Sequence, residues 1–165
     1  MKTVYLSLGS NVGDRDSHLA RTLERLASSD IRILRVSSVY ETEPRDVPDQ
    51  PWFLNQVVEV ETSLFPKQLL ARLQKIEIGM GRIRMLAKGP RTVDIDILFY
   101  GNAIVSTPGL EIPHPRLSDR RFVLEPLAEL APELRHPRTR QTVREMLAAV
   151  SHQRVHRVSS SSQTR

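Results

Sequence analysis

The pattern of apolar and polar positions predicts four strands in the first hundred residues of the chain. Apolar and β-branched residues are concentrated in 3–8, 31–40, 53–62 and 92–100. Short segments of this composition, bounded by turn residues, are typical of strands. The segment 41–50 contains two prolines and is predicted to be a loop, because proline interrupts the hydrogen bonding of both helices and sheets.

The third predicted strand has a clear two-residue alternation. Leu54, Val58 and Val60 fall on one face of 53–62, and acidic residues fall on the other. Because successive side chains of a strand point to opposite faces, this pattern predicts one face in the core and one open to solvent.

Apolar residues spaced by three and four positions predict helices between these strands. Asp14 or Asp16 is expected to cap a first helix, and Pro66 to open a second. After residue 100, two short helical pieces are expected, broken by Pro126 and Pro132, followed by a last helix. The order β-α-β-β-α-β with additional C-terminal helices predicts an α+β fold, a ferredoxin-like sandwich.

The length of 165 residues is that of one domain. We predict a single domain over 1–150 and a flexible tail over 151–165, which is rich in serine and arginine. The chain has no cysteine, which excludes disulfides and thiolate metal sites. No segment approaches the roughly 20 apolar residues of a membrane span. These features predict a soluble, cytoplasmic protein without a membrane partner.

The charge balance is basic, with 24 Lys and Arg against 19 Asp and Glu. This excess indicates an anionic partner without choosing among nucleic acid, nucleotide and membrane surface.

The most informative segment is the predicted strand 92–100, which carries Asp94 and Asp96. The two acids share one face, about 6.6 Å apart. Aspartate is rare inside strands, and a divalent cation with oxygen ligands would relieve the repulsion between two such neighbours. A solvated strand face, or acids paired with arginines, would give the same short pattern. The opposite face is predicted to be core and carries Val93, Ile95, Ile97 and Phe99.

Basic residues precede this strand. Arg82, Arg84, Lys88 and Arg91 lie in or beside a glycine-bearing loop over 79–90. Guanidinium groups that hold phosphate oxygens, beside carboxylates that hold a metal, are the groups that phosphoryl transfer requires. The arginines could instead only neutralise the acids, but four cations against two acids leave a positive excess suited to a polyphosphate.

Three weaker features complete the candidate chemistry. Helix positions Leu70, Gln74 and Glu77 share one face, as surface residues of any helix can. His114 lies between two prolines, which fix it in an extended loop. Residues 7–13 lack the Gly-Lys-Ser/Thr ending of a phosphate-binding P-loop and are interpreted as a turn.

Several motifs in one order resemble the 6-hydroxymethyl-7,8-dihydropterin pyrophosphokinase family. The resemblance extends from residue 8 to about residue 134. Its most specific parts are GPRTVDID at 89–96 and IPHP at 112–115. Supporting segments are SSVYET at 37–42, QPWFLN at 50–55 and RFVL at 121–124.

The resemblance implies a monomeric enzyme of folate biosynthesis that transfers pyrophosphate from ATP to 6-hydroxymethyl-7,8-dihydropterin and releases AMP, with ATP binding first. It implies that Asp94 and Asp96 bind two Mg²⁺ ions and that Arg82 and Arg91 are catalytic. The residues it implies around ATP are Leu70, Gln74, Glu77, Arg84, Ile97, His114 and Arg120. The residues it implies around the pterin are Thr42, Phe53, Asn55 and Phe122. Two aromatic faces and one amide suit a flat bicyclic ring with a polar edge.

Two other functions fit parts of the sequence. A basic ferredoxin-like module that binds RNA would need exposed aromatic residues on its sheet. Aromatics are only 5% of the chain, and the predicted open faces carry acids, so no nucleic-acid partner is expected. A sugar-nucleotide transferase with an Asp-x-Asp metal site would normally require a longer chain.

Overall fold

The computed structural model describes residues 1–42, 52–81 and 92–158. The predicted combination of helices and a sheet is confirmed. The strands are β1 (Lys2–Ser10), β2 (Ile31–Val36), β3 (Tyr40–Thr42), β4 (Phe53–Thr62), β5 (Asp94–Tyr100), β6 (Val105–Thr107), β7 (Leu110–Ile112) and β8 (His156–Arg157). The helices are α1 (Arg15–Leu26), α2 (Pro66–Gly79), α3 (Arg121–Leu130) and α4 (Val143–Ala149), with a 3₁₀ turn at Leu117–Asp119.

The described strands form a six-stranded sheet in the order β5-β1-β4-β3-β8, with β2 also paired to β4. Its pairs are antiparallel. β1 and β4 are the longest partners, from Lys2 opposite Thr62 to Ser10 opposite Leu54. β6 and β7 form a separate hairpin. Within the described ranges, no helix is long and apolar enough to cross a membrane.

Both faces of the sheet are covered by helices. Leu19 of α1 and Leu69 of α2 pack on one face with Leu6, in what we call the first core. Leu124 of α3 and Met146 of α4 pack on the other face, in the second core. The prediction of a solvent-open face on β4 was therefore wrong, because the helices after residue 120 cover it. Two polar residues of that face, Asn55 and Glu59, are 4% and 9% exposed.

The helix ends largely follow their capping residues. Asp14 caps α1, since its carboxylate accepts a hydrogen bond from the backbone N–H of Ser17 at 3.2 Å. α2 begins at Pro66 as predicted.

α3 continues through Pro126, so the predicted break there was wrong. The missing N–H costs one backbone hydrogen bond, and burial of Pro126 with Leu124 and its apolar neighbours offsets that loss.

Two strand predictions also need correction. The predicted strand 31–40 is interrupted at 37–39, where the N–H of Ser37 bonds to the carbonyl of Val57 at 2.9 Å. The Ser37 hydroxyl accepts a hydrogen bond from the Val57 N–H, also at 2.9 Å. Residues 8–10 belong to β1, so the interpretation of 7–13 as a turn was wrong for its first half.

An irregularity in β5 changes the predicted faces of that strand. Leu6 is opposite Ile97, whereas Tyr5 is opposite Phe99, which leaves Leu98 as an extra residue. Such a bulge reverses the alternation beyond it. Ile97 therefore packs in the first core and Phe99 in the second, although both were predicted on one face.

The chain after Val150 returns to the sheet. β8 pairs with β3, and the guanidinium of Arg121 donates to the carbonyls of Ser151 and Gln153 at 2.9 Å and 2.7 Å. Backbone pairing and this arginine thus contact residues 151–158, and the flexibility of 151–165 stays a prediction. Residues 159–165 lie outside the described residues.

Candidate active site

A row of residues crosses the sheet and joins the two acids to the predicted pterin residues. Asp94 is opposite Gly9, Gly9 is opposite Asn55, and Asn55 is opposite Tyr40. Directly opposite residues of paired strands share a face. With neighbouring strands about 4.8 Å apart, the backbones of Asp94 and Asn55 are separated by about 10 Å. Asp96 lies on the same face, opposite Ser7 in the adjacent row.

Gly9 lies in the middle of this row and was not among the predicted site residues. A Cβ atom at this position would lie 3.3 Å from Oδ1 of Asn55 and 3.9 Å from Cδ1 of Phe53. A side chain at this position would therefore press against the Asn55 amide, whereas glycine lets the amide lie close to β1. A glycine inside a strand often marks a close approach of a ligand, and this signal was available once β1 was extended to Ser10.

The amide of Asn55 is held by a neighbouring hydroxyl. Its Nδ2 donates to Oγ1 of Thr42 at 2.7 Å, and both residues are buried. Thr42 is in turn opposite Phe53 in the β3–β4 pairing. Three of the four predicted pterin residues are thus brought together at one end of two strands.

The fourth predicted pterin residue lies at the start of α3. Phe122 is half-buried against the second core, on the site face of the sheet. The Cζ atom of Arg120, a predicted ATP residue, lies 5.4 Å from the centroid of the Phe122 ring. This cation–π contact links the predicted ATP and pterin groups.

His114 is placed close to the acids by β5. Its backbone N–H donates to the carbonyl of Leu98 at 3.1 Å. Its ring Nδ1 accepts a hydrogen bond from the backbone N–H of Arg116, also at 3.1 Å. Burial lowers the pKa of His114, and the arginines Arg120 and Arg116 lower it further, while Asp96 opposes them. The lowered pKa favours the neutral imidazole, and with Nδ1 accepting, Nε2 carries the proton as a donor.

The predicted ATP residues of α2 are divided between the helix surface and the interior. Glu77 is buried, and its Oε2 accepts from the N–H of Ile95 at 2.8 Å. This bond ties α2 to β5 between the two acids. Gln74 is exposed. The side chains of Leu70 and Ile97 pack on the first core, on the opposite side of the sheet from the acids.

The predicted basic residues Arg82, Arg84, Lys88 and Arg91 lie outside the described residues. Their position beside the acids stays a prediction.

The donor chemistry of the site fits Mg²⁺. In residues 1–42, 52–81 and 92–158 there is no group of three or more His, Asp or Glu that could hold a metal. Asp94 and Asp96 are half-buried carboxylates on one face. Mg²⁺ is usually bound in this way, by one or two carboxylates completed by substrate phosphates and water.

Comparison with known proteins identifies the family. The model of the 7,8-dihydro-6-hydroxymethylpterin-pyrophosphokinase (HPPK) family matches residues 5–132. The chain belongs to this family. It is 42% identical over 145 residues to the 2-amino-4-hydroxy-6-hydroxymethyldihydropteridine pyrophosphokinase of Aquifex aeolicus, covering 88% of this chain and 90% of that protein. It is 44% identical over 159 residues to the protein of the same name from Methylorubrum extorquens, covering 96% and 99%.

Other HPPK relatives are longer. The Pneumocystis carinii folic acid synthesis protein fol1 is 46% identical over 138 residues, which are 84% of this chain and 19% of that protein. The chain thus spans about a fifth of the length of fol1. Among solved structures, Plasmodium falciparum HPPK-DHPS aligns with a TM-score of 0.70 at 18% identity, over 90% of this chain and 43% of that one. This likeness shows a shared fold.

Proposed function

We propose that the chain is a Mg²⁺-dependent pyrophosphokinase that transfers pyrophosphate from ATP to 6-hydroxymethyl-7,8-dihydropterin and releases AMP, in folate biosynthesis. The observation that carries this proposal is the row from Asp94 across Gly9 to Asn55. It supplies a phosphate-binding end and a pterin-binding end on one face. Membership of the HPPK family supports the same assignment.

The pterin end is built for a flat ring with a polar edge. The amide of Asn55, oriented by Thr42, offers a donor and an acceptor to that edge. Phe53 and Phe122 supply aromatic faces for the ring. Because Gly9 has no side chain, the Asn55 amide and the Phe53 ring can pack against β1. The backbone separation of about 10 Å is enough for the ring edge and its substituent.

The phosphate end combines acids with cations. Asp94 and Asp96 would hold two Mg²⁺ ions, which when bound neutralise charge on the phosphates. Arg82 and Arg91 are proposed as the catalytic cations. Their interaction with the phosphates would be strongest in the transition state, as charge develops during transfer. The remaining ATP contacts are proposed for Leu70, Gln74, Glu77, Arg84, Ile97, His114 and Arg120. The neutral imidazole of His114 would donate from Nε2 to a phosphate oxygen.

The reaction is a displacement at the β-phosphorus of ATP. The hydroxymethyl oxygen of the pterin forms a bond to this phosphorus and loses its proton to solvent. The bond from the same phosphorus to the oxygen that bridges it to the α-phosphate breaks, and AMP leaves with the electron pair. Positioning the two substrates on one rigid sheet supplies much of the rate enhancement.

We also propose that the sheet is of the ferredoxin-like type. The order β5-β1-β4-β2, with α1 and α2 together on one face, supports this description. The monomeric state and the cytoplasmic location stay predictions.

The experiment that tests the proposed function is an end-product analysis. The purified protein is incubated with ATP, Mg²⁺ and 6-hydroxymethyl-7,8-dihydropterin, and the nucleotides are separated by chromatography. We expect AMP in equal amount to a pterin pyrophosphate. Formation of ADP, or of AMP without a pterin product, would contradict the proposal.

A further inference from the structure

Arg15, at the start of α1, contacts two residues that each precede a pterin residue of the proposed site. Its Nη1 donates to Oε2 of Glu41 at 3.0 Å and to the backbone carbonyl of Trp52 at 2.6 Å. Glu41 comes directly before Thr42 in β3, and Trp52 comes directly before Phe53 in β4. One guanidinium group therefore bridges the two strands where the pocket is formed.

The alignment of these strands determines the shape of the pocket. Thr42 is opposite Phe53, and the Thr42 hydroxyl accepts the hydrogen bond that orients Asn55. β3 is only three residues long, so few backbone hydrogen bonds fix its position on β4. A small shift of β3 would move the Thr42 hydroxyl away from Asn55 and release the amide.

The returning C-terminal segment contacts the same two residues. His156 of β8 is opposite Glu41 in the β3–β8 pairing. Its ring stacks on that of Trp52, with centroids 6.4 Å apart and planes inclined by 14°. Trp52 is 40% exposed. The ring of Trp52 is thus contacted by β8, whereas its backbone carbonyl, at the start of β4, is contacted by Arg15.

We propose that Arg15 is a positioning residue for the pterin pocket. By bridging Glu41 and the Trp52 carbonyl, it keeps Thr42 and Phe53 aligned for the pterin, without touching the substrate itself. This inference rests on the proposed function, because it assumes that the pterin binds at these residues. An exposed ion pair alone has a small effect, but a charged donor shared between a carboxylate and a backbone carbonyl also fixes the backbone.

The test measures binding of each substrate separately. Arg15→Ala is titrated by calorimetry with 6-hydroxymethyl-7,8-dihydropterin in the presence of Mg²⁺ and a non-hydrolysable ATP analogue. We expect the pterin Kd to rise about tenfold, equivalent to about 1.4 kcal/mol. The Kd of the ATP analogue should be unchanged, and the Tm should fall only by the small amount expected for one exposed ion pair. Arg15→Lys keeps the charge but replaces the planar guanidinium with a compact ammonium group, so it should restore part of the affinity.

The chain offers a matched control in Arg72. Its Nη2 lies 3.0 Å from Oδ2 of Asp30, the same separation as the Arg15–Glu41 pair. The side-chain exposures are also similar, 34% and 39% against 29% and 34%. Arg72→Ala removes a comparable ion pair between α2 and the residue before β2, and should leave the pterin Kd unchanged.

Several results would overturn the role of Arg15. The first is an unchanged pterin Kd in Arg15→Ala. The second is an equal loss of affinity of Arg15→Ala for the pterin and for the ATP analogue. The third is a loss of pterin affinity in Arg72→Ala that equals the loss in Arg15→Ala. If Arg15→Ala does not fold, Glu41→Gln carries the same test, with a smaller rise in pterin Kd expected and an unchanged value contradicting the role. Wild-type protein that fails to bind the pterin would instead contradict the proposed function.

Discussion

Replacing Gly9 with alanine would place a methyl group on the floor of the proposed pocket. Gly9 lies between Asp94 and Asn55 in the row across the sheet. Gly9 has the extended backbone of a strand and is not one of the glycines with positive φ. Alanine can therefore adopt it without strain, and the effect of the substitution should come from the added methyl group alone.

The size of the effect follows from the contacts of that methyl group. Its carbon would lie 3.3 Å from Oδ1 of Asn55, closer than an ordinary carbon–oxygen contact, so the amide must move by a few tenths of an ångström. Adding a methyl group to a packed site typically costs about 1–3 kcal/mol. In the complex this corresponds to a pterin Kd raised by about 5- to 150-fold. The smaller conformational entropy of unfolded alanine offsets part of the strain in the free protein, so the Tm should change little.

Calorimetric titration with the pterin, in the presence of Mg²⁺ and the ATP analogue, measures this effect. Gly79→Ala is the matched control, because its Cβ would meet only the end of the flexible Arg25 side chain. In an Asn55→Ala background, Gly9→Ala should change the pterin Kd by no more than about twofold, since the atom it displaces is absent. A Gly9→Ala protein with wild-type pterin affinity would refute the placement of the pterin between Asn55 and the acids.

Two further predictions concern the acids and a buried carboxylate. Asp94→Asn and Asp96→Asn should each lower turnover at saturating Mg²⁺ by about a hundredfold or more, measured as AMP release, with the fold retained. Asp16→Asn, at an exposed position, is the control. Near-normal turnover of either site variant would contradict the metal assignment. Burial opposes ionisation of Glu59, but hydrogen bonds from Arg35 and a tyrosine hydroxyl outweigh it and lower the pKa of Glu59. Its contribution to stability is present above the unfolded pKa of about 4.5 and is lost as pH falls through the lower folded pKa. Urea unfolding between about pH 5 and 2 should therefore show a shallower loss of stability in Glu59→Gln than in wild type, and equal slopes would contradict this.

The placement of the acids could be predicted from the sequence because it depends on local alternation. Asp94 and Asp96 are two positions apart in a strand, so they share a face whatever the strand pairs with. The alternation fails at Phe99, where the bulge in β5 reverses the faces. A bulge depends on the partner strand and leaves no distinct signal in an apolar segment.

The row that joins Asp94 to Asn55 could not be predicted from the sequence. It depends on the register of β1 with β4 and β5, which is set by contacts between residues far apart in the chain. The role of Gly9 depends on the same register. The covered face of β4 was missed because acids such as Glu59 indicate exposure, whereas hydrogen bonds from Arg35 and Tyr5 allow its burial.

The position of the C-terminal segment was missed for a related reason. Residues 151–158 have few apolar side chains, and composition alone predicts a tail. β8 is held instead by backbone pairing to β3 and by the stacking of His156 on Trp52. Both contacts need a partner strand whose edge is available, which the sequence does not reveal.

The central claim is that this face of the sheet transfers the β- and γ-phosphoryl groups of ATP together to a pterin. The most direct measurement uses ATP labelled with ³²P at the β-position, with Mg²⁺ and 6-hydroxymethyl-7,8-dihydropterin, followed by separation of pterin and nucleotide products. We predict that the label moves to the pterin in wild-type protein, and that transfer is lost in Asp96→Asn. Label that remains in ADP, or that reaches the pterin equally well in Asp96→Asn, would contradict the account.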